Sequence, residues 1–425
     1  LIDRCGSCRA GDRQGGRIVS AGWRRLWQTV AIGGIGLSLY AGWLTVDEYR
    51  DRSSSERDIA AACDHLVSGE QVMDLQGGMG RATSDDYDNY RLDTRRLPSA
   101  CTIYKVSGAH ESTDLFRLIV RSSDDSEPVN TVGERGTPFF TNDERRRRKE
   151  DLTVAVDRRP EEWPLGDGTL GSYTHFRTTI RAACGPGSGQ EAPRLLRVTA
   201  VAMYRDVFTE DRHRLAQLAH TATQRLTQRI GCRTQLRALP VHMGAVPSKL
   251  RPVLTADGSC RWAGQLAKGQ GQGRLPDRAL TTRARDRNPA EGCLLAVSPT
   301  QVRAIARTLT GDQRHYADEA LTDTAWWLRT MSYFGTEAGA VSRDEIGDVK
   351  KIKPGTAGGG SHGVWWASSI CNGKPALHTL TGGYLYDGIQ GGRALNSLFR
   401  AYVDDITTQR GCTHVTYPAK KFDDV

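Results

Sequence analysis

LAQLAHTATQRLTQRIGC, residues 215–232, and LNSLFRAYVDDITTQRGC, residues 395–412, are two amphipathic segments offset by 180 positions. Leu215, Leu218, Ala219, Ala222 and Leu226 match Leu395, Leu398, Phe399, Tyr402 and Ile406. That i, i+3, i+4, i+7 spacing puts the apolar side chains on one stripe of a helix. Each stripe ends in Gly-Cys, Gly231-Cys232 and Gly411-Cys412, and glycine suits the left-handed position that terminates a helix.

The match extends upstream. Cys184 precedes the apolar run Leu195 to Tyr204, and Cys371 precedes Leu377 to Tyr386; each run has strand character and leads into the helix. Cys63 and Cys101 in the first half have counterparts in Cys260 and Cys293. The order Cys, Cys, Cys, strand, helix, Gly-Cys therefore occurs twice, and the chain reads as tandem copies of one domain. An even cysteine set without close pairs fits disulfides better than zinc. The expected pairing is first with second and third with fourth in each copy: Cys63 with Cys101, Cys184 with Cys232, Cys260 with Cys293 and Cys371 with Cys412. Crossed pairing within a copy is the alternative, since spacing does not fix connectivity. A loop of this size contributes up to about 4 kcal/mol in the chain-entropy account.

Strands are expected at Leu115 to Val120, Leu152 to Val156, Ile180 to Cys184 and Leu195 to Tyr204. In the second copy they are expected at Leu294 to Val297, Trp326 to Phe334 and Val364 to Ile370. Ser55 and Asp58 read as a capping box opening the helix that carries Cys63. Consecutive strands with helices at both ends of each copy predict antiparallel sheets covered by helices, α+β class. Arg121 to Asp151, Lys268 to Ala290 and Asp344 to Gly363, with its Gly358-Gly359-Gly360, have the composition of disordered loops.

The N-terminus carries a different signal. Leu26 to Val46 is a run of 21 uncharged residues, about 30 Å as a helix, diluted by Gln28, Thr29, Ser38 and Thr45. Trp27, Tyr40 and Trp43 lie near its ends, and six arginines precede it. These features predict a single transmembrane helix, an uncleaved signal anchor with the N-terminus cytoplasmic and everything after it exported. The expected layout is a cytoplasmic tail at 1–25, the span at 26–46 and a linker at 47–56. The two domain copies follow at 57–240 and 253–425, joined by a linker at 241–252. The bilayer is then one partner, and Gly34, Ser38 and Gly42 form a small-residue face suited to a homodimer. Cys5-x-x-Cys8 lacks a second pair and is read as uninformative.

Charge and motifs exclude more than they assign. The chain of 425 residues has a formal charge of +9, and 48 of its 58 basic residues are arginine, a bias that reports genome composition more than chemistry. The basic run Arg145 to Lys149 is interleaved with acids and reads as a solvated loop; no nucleic-acid partner is expected. The acidic cluster from Ser84 to Asn89 fails the calcium-loop pattern. Ser361-His362 lacks the nucleophile-elbow context. No catalytic residue, cofactor or metal ligand is assigned. Trp326-Trp327 and Trp365-Trp366 are the most unusual feature. Core packing is their expected role, and an aromatic platform for a glycan or apolar ligand is the alternative.

Cys63 with Leu66, the strand from Cys101, Ala183-Cys184-Gly185 and Gly231-Cys232 carry a resemblance in the first copy. Cys260-Arg261-Trp262, Trp327, Ser369-Ile370-Cys371 and Gly411-Cys412 carry it in the second. Over residues 57–425 the chain resembles uncharacterised membrane-anchored proteins of actinobacteria with paired cysteine-bearing domains. More distantly it is similar to small exported lipoprotein and sensor domains of that group, though it lacks their lipobox cysteine and doubles the domain. The resemblance implies antiparallel sheets packed with helices and no agreed catalytic residues. Two functions follow: a non-catalytic envelope module binding an envelope protein or glycan, or an exported hydrolase. A deep pocket of convergent polar groups with perturbed pKa values would favour the hydrolase; a shallow surface with exposed aromatics would favour the binding module.

Overall fold

A computed structural model describes residues 49–84, 91–107, 111–122, 130–132, 138–139, 151–156, 161–189, 192–204, 206–283, 287–345, 348–360, 363–383 and 385–419, together with Val30, Trp43 and Val46. Residues 1–54 and 55–425 form two separate units. In the first unit the described residues are helical, and Val30, Trp43, Val46 and Tyr49 are exposed.

The transmembrane helix expected in the fold class is corrected. Among the described residues no helix is long and apolar enough to cross a membrane. Polar side chains and Gly33, Gly34 and Gly36 dilute the stretch that suggested one. Most of residues 26–46, with the Gly34, Ser38 and Gly42 face, lies outside the described residues, as do Cys5, Cys8, Arg145 to Lys149 and Ser361-His362. What stands is an α+β fold built on antiparallel sheets.

In the first half the elements run α1 (Gly69–Met73), β1 (Ala82–Ser84), β2 (Ser99–Ser107), β3 (Glu111–Ser122), β4 (Asn130–Val132), β5 (Trp163–Pro164), β6 (Gly171–Tyr173), β7 (Arg177–Ala183), β8 (Leu195–Ala202) and α2 (Thr209–Arg229). The second half begins with β9 (Arg251–Pro252), α3 (Arg261–Gln270), β10 (Arg278–Thr281), β11 (Ala290–Ala296), α4 (Pro299–Ala306), α5 (Asp312–Thr322) and β12 (Trp327–Phe334). It continues with β13 (Val341–Glu345), β14 (Asp348–Lys351), β15 (Gly358–Gly360), β16 (Val364–Cys371), β17 (Lys374–Gly382), α6 (Tyr386–Gln390), α7 (Gly392–Gln409) and β18 (Cys412–Thr416).

The two large sheets have the same plan. The first is ordered β1-β2-β3-β8-β7-β6-β5. The second contains β10-β11-β12-β17-β16-β15, with β9 beyond β10 and β18 on the outer side of β16. Every neighbouring pair in both is antiparallel. In the first half β8 leads into the closing helix α2, and in the second the equivalent β17 leads through α6 into α7. Each closing helix buries the matched stripe against its sheet: Leu215, Leu218, Ala219, Ala222 and Leu226 in one, Leu395, Leu398, Phe399, Tyr402 and Ile406 in the other.

All four disulfides form the pairs expected from cysteine order. Cys101 on β2 and Cys293 on β11 occupy equivalent strands, as do Cys184 just after β7 and Cys371 on β16. Their partners differ in place: Cys63 follows a helical stretch, whereas Cys260 precedes α3.

Several local expectations change. Leu152 to Val154 is a 3-10 turn, not a strand, because Asp151 accepts from the Thr153 amide and caps it. Ser55 lies inside a helical stretch, where its Oγ accepts from the Ala82 amide at 3.1 Å. The described parts of the three loop-like stretches contain β4, β10, β14 and β15. The three glycines of β15 follow from the tryptophans beside them. A Cβ at Gly358 would overlap the Trp366 ring, and one at Gly359 would overlap Trp365. Residues 241–252 are also held, since the Tyr173 hydroxyl donates to the Gly244 carbonyl and the Val156 amide to that of Ser248.

His378 on β17 is fully buried beneath α7. Its Nδ1 lies 2.8 Å from Ser332 Oγ and its Nε2 lies 2.9 Å from Ser369 Oγ, while Ser332 also meets the Tyr402 hydroxyl at 2.5 Å. Burial pulls the imidazole down to about 3, so it is neutral in the folded protein. The unfolded chain takes up a proton near pH 6.5 that the fold refuses. Stability is therefore fully present above that pH and is lost as pH falls toward 3, by up to about 1.4 kcal/mol per pH unit. Denaturant midpoints between pH 7 and pH 4 should show this slope, and His378→Gln should flatten it. Leu218→Ala and Leu398→Ala should each cost about 2–5 kcal/mol in the same assay, with neither spared.

Candidate functional site

The helix-free faces of the two sheets meet around a cavity of about 450 Å³. Strand alternation decides what lines it. On β3, β7 and β8 the side chains of Phe116, Leu118, Val120, Ile180, Ala182, Leu196, Val198 and Ala200 pack into the core beneath α2. The intervening positions point the other way: Arg117, Ile119 and Arg121; Arg177, Thr179 and Arg181; Arg197, Thr199 and Val201.

Strand register arranges these in rows. Arg121 pairs with Arg197, which pairs with Arg181. Ile119, Thr199 and Thr179 form the next row, and Arg117, Val201 and Arg177 the third. Directly paired side chains have Cβ atoms about 5 Å apart, and like charges at that spacing are destabilising. Four residues along a strand separate the two arginine rows by about 13 Å.

The second half supplies the opposing charge. Glu337, on the 3-10 turn Gly335–Ala340 after β12, bridges Arg181 and Arg197 and is itself buried. Arg181 Nη2 also lies 3.3 Å from Thr336 Oγ1. In the other direction Glu161 of the first half reaches over β11 to Arg329 on β12, with Nε to Oε1 at 2.7 Å. A Cβ at Gly292 would overlap the Glu161 carboxylate and Met331 Sδ, so glycine there is what lets the acid lie on the strand. Glu162 takes Arg177 and accepts from Ser172 Oγ at 2.5 Å. The small sheet β14-β13-β4 ties the halves further, with β4 parallel to β13.

Burial holds Arg197 down to about 9, helped by the positive charge of Arg181, and holds Arg181 down to about 10. Burial also raises the Glu161 carboxyl, with Arg329 working against it. For Glu162 the loss of solvent is outweighed by Arg177, the Ser172 hydroxyl and Arg197, and its carboxyl sits below the ordinary range. Among the described residues no cluster of His, Cys, Asp and Glu could hold a metal ion.

The tryptophans lie elsewhere. Trp326 stacks on Tyr386 with ring centroids 5.3 Å apart, and Trp365 is buried in the same core under α7. Trp327 is buried in a cluster with Phe139, Leu152 and Val156 of the first half. Trp366 is half-buried, its ring covered by the Arg343 guanidinium at 4.8 Å and its Nε1 3.3 Å from Thr356 Oγ1. The structure thus distributes the four rings over three packing environments and assembles no shared face from them.

The arginine rows went unread in the sequence. Their signal is Arg117-x-x-x-Arg121 and Arg177-x-x-x-Arg181 inside runs whose alternate positions are apolar. Comparison with protein-family models, curated proteins and solved structures finds no match.

Breaking the buried Glu337 bridge should unseat the halves. Glu337→Ala should lower unfolding free energy by about 3–5 kcal/mol, the range for stranding a buried charge. Glu162→Ala, which removes a pair about one-third exposed, should cost about 1 kcal/mol or less. Denaturant titration of the two variants side by side reads the difference.

Proposed function

We propose that the protein is a non-catalytic binding module working outside the cytoplasm, in the cell envelope, with its ligand site in the cleft between the two sheets. The observation that carries this reading is the cleft's side-chain chemistry. It is deep and rich in polar groups of perturbed pKa, which by itself would suit a hydrolase. The groups, however, are guanidinium donors and ion-paired carboxylates. Ser172 donates its hydroxyl to a carboxylate, and that partner, Glu162, is held ionised by Arg177, which makes it a poor base. Ser332 and Ser369 flank His378, but all three are sealed beneath α7. Such a cleft recognises charge more readily than it moves protons.

The four disulfides support the compartment, because thioredoxin and glutathione keep cytoplasmic thiols reduced. The common strand order of the two halves supports descent of both from one ancestral domain, in keeping with the resemblance to paired-domain actinobacterial proteins. Thiol labelling tests the localisation. Intact cells are treated with a membrane-permeant maleimide, and the full chain is then mapped without reduction. Cys63, Cys101, Cys184, Cys232, Cys260, Cys293, Cys371 and Cys412 should all escape alkylation. Quantitative alkylation of these eight would overturn the exported reading.

A further inference from the structure

The row Arg121, Arg197 and Arg181 sets like charges directly opposite one another, an electrostatic cost that a purely structural face would avoid. Among the described residues five arginines and two glutamates line the cavity, a formal excess of three positive charges. Arg197 is only 8% exposed. The Nε atoms of Arg117, Arg177, Arg181 and Arg197 are buried without hydrogen-bond partners among the described residues. The acids that reach this cluster are shared out thinly: Glu337 serves both Arg181 and Arg197, and Glu162 takes Arg177.

We propose that this cavity binds a small oxyanion carrying two or more negative charges, gripped between the two arginine rows. The inference rests on the cleft being the ligand site. The guanidinium fork matches phosphate and carboxylate oxygens geometrically and keeps its charge despite burial. Thr179 and Thr199, whose hydroxyls lie 3.0 Å apart, form the row between and add neutral donors at the floor. Glu337 already shows how an acid is held there: its carboxylate bridges Arg181 and Arg197. Arg117 and Arg177, about 13 Å further along the strands, leave room for a second anionic group.

Calorimetric titration of the full chain with inorganic pyrophosphate, with citrate and with mannitol tests this. One equivalent of pyrophosphate or of citrate should bind saturably, and mannitol should not. The preferred anion separates phosphate from carboxylate chemistry. Arg117→Gln should weaken binding by about tenfold or more while leaving the Glu337 bridge in place. Arg177→Gln provides a second variant should the first fold poorly. Absence of saturable binding for both anions up to roughly 10 mM overturns the proposal. So does binding that neither variant weakens, or that sodium chloride at matched ionic strength reproduces as thermal stabilisation, since screening alone would then suffice. Because the thiol state is read separately, failed anion binding with the eight cysteines oxidised removes the ligand class and leaves the exported reading standing.

Discussion

A buried guanidinium at the centre of a sheet face is the constraint on which the arrangement of residues 55–425 depends. Arg197 sits on β8 between two other arginines, beneath the opposing half, in surroundings that would strip its charge of stabilisation if no acid reached it. Glu337 reaches it, and Glu337 belongs to the second half. The first half's sheet therefore has one face satisfied by its own helix and another whose Arg181 and Arg197 meet their carboxylate across the contact. The reciprocal bridge from Glu161 to Arg329, allowed by the missing side chain at Gly292, gives the second half the same dependence in reverse. Two sheets that each cover one face with helices have become one compact unit because their remaining faces are complementary in charge.

Apolar contacts set the distance of that approach. Phe139, Leu152 and Val156 of the first half pack on Leu294, Ala296 and Trp327, and Val132 packs with Tyr333, Val341 and Leu377. These clusters flank the arginine rows rather than filling the space over them. The cavity is thus a consequence of docking on its rim: the hydrophobic contacts lie to its sides, and the charged centre between them is left open.

Local periodicity made half of this readable. The α2 and α7 stripes and the cysteine order are short-range patterns within each half, so Leu218 and Leu398 could be placed from sequence, and the disulfides could be expected there with crossed pairing left as the alternative. The helix-free faces could not. Arginine and threonine alternating with apolar residues are what a solvent-facing strand looks like, and Arg117, Arg121, Arg177, Arg181 and Arg197 fit that description residue by residue. Only the pairing register puts three of them in a row, and register is a tertiary property. The same blindness affected Gly358-Gly359-Gly360, which reads as a loop until Trp365 and Trp366 are seen to need the space. At the N-terminus the error ran the other way: a lack of charge between residues 26 and 46 suggested a span, although low charge alone does not supply the apolar content that one requires.

His378 makes the contrast between the two kinds of buried polarity plain. Its two ring nitrogens are both met by serine hydroxyls, its burial leaves it neutral, and the network of Ser332, Ser369 and Tyr402 completes itself inside one half. A satisfied network of this kind specifies packing and asks nothing of a ligand. The arginine rows differ: they stay charged, the Nε donors of Arg117, Arg177, Arg181 and Arg197 lack acceptors among the described residues, and the carboxylate that Arg181 and Arg197 share comes from the other half. Natural cores tolerate few unsatisfied donors, and those that persist together call for a reason beyond stability. A fold that needed only to hold its halves together could have done so with the flanking apolar clusters and one ion pair. Keeping five guanidinium groups around one cavity with two carboxylates among them, as the described residues do, is intelligible when part of their charge is met by something that comes and goes.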